Sequence, residues 1–103
     1  MTTPLEYIAI MRPRRPDFIT TMTPEEQETM QNHLAYADRL FAEGKILLGG
    51  AALDGAIGIL VLRVESAEEA RNIYENDPAV IAGIGDTELH PFKVGLLAGP
   101  GVR

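Results

Sequence analysis

The apolar positions of this chain change period several times, and each change marks an element. "LEYIAIM" (5–11) is an apolar, partly β-branched run bounded by Pro4 and by "RPRRP", and predicts a first strand. Pro13 and Pro16 interrupt any periodicity in "RPRRPDFITTM", so 12–22 is expected to be a loop. From Thr23 the spacing becomes helical: Thr23 is the N-cap, Pro24 the first helical residue, Glu26 the capping-box partner and Gly44 the stop. "ILLGGAAL" (46–53) and "AIGILVLRV" (56–64) are apolar runs separated by Asp54-Gly55, a hairpin signal. In "SAEEARNIYEND" Ser66 caps a second helix with Glu69 as its capping-box partner, and Pro78 ends it. "AVIAGIGD" reads as a helical turn or loop. "TELHPFKVGLL" reads as a last strand, in which Pro91 implies an edge or a bulge.

The order strand–helix–strand–strand–helix–strand is the ferredoxin-like plan: an α+β fold with a four-stranded antiparallel sheet and both helices on one face. A chain of 103 residues is expected to be one domain, here 1–98, with 99–103 a loose tail. A domain of this size buries only about 60–65% of its unfolded surface. Nothing in so short a chain is left to cover the second sheet face, and its strands are apolar, so a homodimer joined sheet to sheet is expected.

Composition narrows the partners. The net charge is −6 and the sequence pI about 4.8, which disfavours nucleic acid, since that needs a basic surface. There is no cysteine, which removes disulfides, thiolate catalysis and thiolate metal sites together. The apolar run near the N-terminus is too short for a signal peptide or a membrane span. A cytoplasmic protein without membrane attachment is the expectation.

Candidate chemistry lies inside the helical pattern. Met30, Leu34, Ala37 and Phe41 form an apolar stripe, and His33 falls on that face beside Leu40. In the second helix Ala67, Ala70, Ile73 and Tyr74 form the inward face, on which Asp77 is the next position. A lone inward histidine is ordinarily a core residue bonded to backbone, and an Asp before Pro is ordinarily a helix terminator. The alternative is an acid–base pair, in which a carboxylate fixes the tautomer of an imidazole that titrates near neutrality. Asp54 competes with Asp77 for the acid, although Asp-Gly is first of all a turn. His90, before Pro91, fits a surface or dimer edge. No histidine spacing suits a metal, and no glycine cluster has the dinucleotide-binding arrangement, so neither a metal nor a cofactor is expected. Arg12, Arg14 and Arg15 are either a solvated loop or an anion-holding cluster near a cavity mouth.

The stretches "HLAYADRLFAEGKILLGG", "LDGAIGILVLRVES", "AEEARNIYENDP" and "AVIAGIGDTELHPFKV" together resemble the YciI-like (YCII) proteins. The resemblance spans nearly the whole chain and departs from the pattern at "GGAAL", where "AGP" is commoner. It implies a ferredoxin-like subunit, a homodimer of the dimeric α/β-barrel type and a His–Asp dyad, carried here by His33 and Asp77. It also implies the substrate class, through the dehydrochlorination of a chlorinated hydroxyhydroquinone in aromatic degradation. On this reading the protein is a cofactor-independent lyase- or isomerase-type enzyme. His33 would take a ring hydroxyl proton, with Tyr7, Phe41, Tyr74 and Arg12 as candidate substrate contacts. A non-catalytic dimer that binds a small molecule is the alternative, and a cofactor-free monooxygenase a third.

Overall fold

The computed structural model describes residues 3–99. Its elements are β1 (Leu5–Pro13), α1 (Phe18–Thr21), α2 (Pro24–Ala42), β2 (Ile46–Ala51), β3 (Gly58–Val64), α3 (Ala67–Glu75), α4 (Pro78–Ala82) and β4 (Gly85–Phe92). The sheet order is β2-β3-β1-β4 and every neighbouring pair is antiparallel, the ferredoxin-like arrangement expected from the element order.

The two long crossovers begin with the anticipated caps. The Thr23 hydroxyl accepts from the Glu26 amide and the Glu26 carboxylate accepts from the Thr23 amide, closing a capping box on α2. Arg15 reaches the same carboxylate at 2.8 Å; its hydrogen bond and the Thr23 amide hold the Glu26 carboxyl below its ordinary range. At α3 the Ser66 hydroxyl accepts from the Glu69 amide. The Glu69 carboxylate accepts from the amide of Glu65 rather than from the cap residue.

Several boundaries differ from the sequence pattern, each for a local reason. The 12–22 stretch is not all loop: β1 continues to Pro13, opposite Gly85, and Phe18–Thr21 makes one helical turn. Phe18 anchors that turn by burying its ring, with the Arg15 guanidinium 5.4 Å above it. The β2–β3 connection is longer than a two-residue Asp-Gly turn. A type I′ turn needs positive φ at two successive positions, and here only Gly55 has it, at 79°. The chain instead closes with the Ala52 amide on the Ile57 carbonyl, and the Asp54 carboxylate takes the Ala56 amide. β4 starts earlier than expected and stops at Phe92, opposite Glu6, and just beyond it the Val94 amide donates to the Glu6 carboxylate. Pro91 sits on this edge strand, where its missing N–H costs no ladder bond. Most of the expected loose tail, from residue 100, lies outside the described residues.

Strand alternation sorts the sheet into two faces. Leu62 and Val64 of β3, Ile46 of β2, Leu40 of α2 and Ala70 and Ile73 of α3 form the core on the helix side. The opposite face carries the row Leu48–Val61–Ile8, followed by Ile59 beside Ile10.

Candidate active site

His33 and Asp77 come from different elements, and one hydrogen bond explains how they are brought into register. The Tyr36 hydroxyl donates to the Ile73 carbonyl at 2.9 Å, joining α2 to the last turn of α3. His33 lies one turn before Tyr36, and Asp77 one turn after Ile73. Burial first, and the nearby Asp77 charge second, raise the Tyr36 phenol above its ordinary value of 10.0, so it stays a donor. The result is a His33 Nδ1 to Asp77 Oδ1 distance of 2.8 Å, with Oδ2 at 3.0 Å.

Asp77 has a second duty. It is the N-cap of α4, and its Oδ1 accepts from the Ala79 amide at 2.9 Å. Asp77 is 7% exposed, and its carboxylate has partners on two sides, His33 and the Ala79 amide. An ionised carboxylate only accepts, so in the neutral imidazole the proton sits on Nδ1 and the lone pair on Nε2. Among the described residues nothing hydrogen-bonds Nε2.

His33 borders a cavity of about 500 Å³ between the helices and the sheet. The stripe Met30, Leu34, Ala37 and Phe41 lines it, which explains why Leu34 and Phe41 are 59% and 62% exposed instead of buried. The core face of α2 is rotated from that stripe and is made by Tyr36, Ala37 and Leu40. Ala9 and Gly58 leave room over the strands, while the space above Gly49 is taken by the Leu60 side chain. Phe18 and Ile19 of α1 close one side against Gly55, so the 12–22 segment does border the cavity. The polar side chains on its wall are those of His33, Asp38, Tyr74, Asp77 and Thr87. Among the described residues no lysine or arginine lines it.

The candidate residues thus divide. His33, Asp77, Phe41 and Tyr74 share the cavity. Tyr7 does not: it lies opposite Leu62 in the sheet and packs on the core cluster. Arg12 does not either. Its strand phase turns it to the other sheet face, where it pairs with Glu88. Arg14 and Arg15 are held by Asp86 and Glu26, so the basic cluster is a set of surface ion pairs and offers this cavity no cation. Asp54 is exposed and satisfied within its own turn. His90 shares Glu88 with Arg12 on the open sheet face, 2.8 Å from its carboxylate. Thr87 and Tyr36 escaped the sequence reading. The alternation Thr87–Leu89 against Glu88–His90 was the available signal for the first; no spacing rule pointed to the second.

The family model described as "YCII-related domain" matches residues 7–93, which span His33, Asp77 and the sheet except for Leu5 and Glu6 of β1. The chain belongs to the YCII family. One family relative, "Uncharacterized protein YjpA" of Bacillus subtilis (strain 168), is 33% identical over 76 residues, covering 72% of this chain and 89% of the relative. Among solved structures, one similar chain is 5-chloro-2-hydroxyhydroquinone dehydrochlorinase from Burkholderia phenoliruptrix AC1100, solved in complex with 2,5-dihydroxybenzoquinone. It superposes with a TM-score of 0.63 at 28% identity, covering 86% of this YCII chain and 95% of that one. Among the described residues no helix is long and apolar enough to cross a membrane, and no three metal-ligating side chains are grouped.

Proposed function

We propose that this YCII protein is a small acid–base enzyme of the lyase or isomerase type, acting on a hydroxylated aromatic or quinol-type molecule. The observation that carries this reading is the buried Asp77 carboxylate on His33 Nδ1 beside a mostly apolar cavity. Asp77 orients the ring and stabilises the imidazolium, and Nε2 is the base. Similarity to a dehydrochlorinase solved with a dihydroxybenzoquinone supports the substrate class.

On a chlorinated hydroxyhydroquinone, Nε2 removes a ring hydroxyl proton and the electron pair enters the ring. The carbon bearing chlorine takes a proton, giving the keto tautomer. Loss of a second hydroxyl proton then expels chloride. The net loss is HCl, which is redox-neutral and calls for no cofactor. Chloride release from 5-chloro-2-hydroxyhydroquinone, followed over many equivalents of protein, tests the proposal. Turnover without oxygen uptake is expected. Stoichiometric binding alone would make the protein a carrier, and oxygen consumption would make it a monooxygenase.

The subunit arrangement belongs to the same proposal. Half-buried Leu48 and Ile8, on either side of buried Val61 on the face opposite the helices, suit a second copy of the same sheet. Sedimentation at micromolar concentration should give twice the 11.2 kDa chain mass; the mass of a single chain would overturn the dimer.

A further inference from the structure

Besides His33 and Asp77, three polar side chains line the cavity: Asp38, Tyr74 and Thr87. Asp38 is exposed on α2. Tyr74 and Thr87 are half-buried, and their hydroxyls hydrogen-bond to each other across the gap between α3 and β4. Their placement is dictated by the chain. Tyr74 lies in the last turn of α3, and both it and Asp77 line the cavity. Thr87 stands opposite Met11 and two residues before Leu89, which packs on the core, so it lies on the helix face of β4.

Two hydroxyls hold two protons and spare lone pairs, and their mutual bond uses one proton. Whichever is the donor, one O–H and several lone pairs remain. The pair can therefore donate to a carbonyl oxygen or accept from a hydroxyl. The fold already satisfies the main-chain groups around it through the ladder and the helix, so this pair has no capping or pairing task comparable to that of Asp77.

We propose that the Tyr74–Thr87 hydroxyl pair is a second oxygen-recognition point of the cavity. The ligand is then a small uncharged ring with two separate oxygen substituents: a hydroxyl presented to His33 and a hydroxyl or carbonyl presented to the pair. This rests on His33 being the base at the first point. Neutrality follows from the wall, where carboxylates are present and no lysine or arginine is.

Calorimetric titration of the intact protein with phenol, catechol, resorcinol and hydroquinone tests it. At least one dihydroxybenzene should bind roughly 3–10-fold more tightly than phenol, the ratio expected for one added neutral hydrogen bond. The double variant Tyr74→Phe/Thr87→Val should remove that advantage, whereas Thr87→Ser, which keeps both hydroxyls, should retain it. Phenol and dihydroxybenzenes binding the wild-type protein equally, or no binding by any of the four, overturns the proposal. So does an advantage that survives the double variant. The first point fails separately: if His33→Asn leaves phenol affinity and turnover unchanged while the dihydroxybenzene advantage responds to the double variant, the base is misassigned and the second point stands.

Discussion

His33→Asn is expected to lower turnover of a quinol substrate by at least about 100-fold, the lower end of what a positioned general base contributes. The fold should survive. The introduced amide can still donate to the Asp77 carboxylate, so the buried acceptor keeps a partner, as does the Ala79 amide that Asp77 caps. What disappears is the lone pair of Nε2 facing the cavity. Asp77→Asn supplies the complementary control. Asn caps a helix about as well as Asp, so α4 should persist while the imidazole loses its ionised acceptor. The measurements are initial rates per folded molecule, with the folded fraction taken from far-ultraviolet circular dichroism and thermal melts. Unchanged rates in folded His33→Asn protein would make His33 a core histidine that packs α2 on α4, with no enzyme at this site.

Leu62→Ala should destabilise the domain by about 2–5 kcal/mol, the range for emptying a buried leucine site. Leu62 is 0% exposed and stands between Tyr7 on β1 and Ile46 on β2, beneath the two helices. A domain of this length is stabilised by only about 5–15 kcal/mol in total, so the loss is a substantial share. Urea unfolding at constant slope is the measurement. A shift under about 1 kcal/mol would mean that the core relaxes around the site or that Leu62 is not its centre. Phe41→Ala should cost far less, because Phe41 is 62% exposed at the cavity.

The contrast between Leu62 and Phe41 also marks how much the sequence could say. Both are large apolar residues in correct phase for a core, and periodicity alone treats them alike. Phase identifies a face and not what lies opposite it. The stripe Met30–Leu34–Ala37–Phe41 was legible, but it faces a cavity because strand positions beneath it are as small as Ala9 and Gly58. Tyr7 and Arg12 failed as cavity residues for the same reason. One register of β1 sends Tyr7 to the core and Arg12 to the opposite sheet face, and both are sheet-level facts.

By itself the sequence determined the local elements and their order. Thr23, Pro24 and Glu26 start α2, Ser66 starts α3 and Pro78 ends it, since caps and proline act through bonds within a few residues. That order, with its alternating apolar strands, led to the ferredoxin-like sheet. Only the tertiary structure decided which acid meets His33, because residues 33, 54 and 77 are far apart in sequence and nothing in their spacing measures distance. Packing of Tyr36 on the Ile73 carbonyl brings Asp77 to 2.8 Å, while Asp54 is satisfied in its own turn. The Tyr74–Thr87 contact has the same origin, a helix residue and a strand residue joined only once the layers pack.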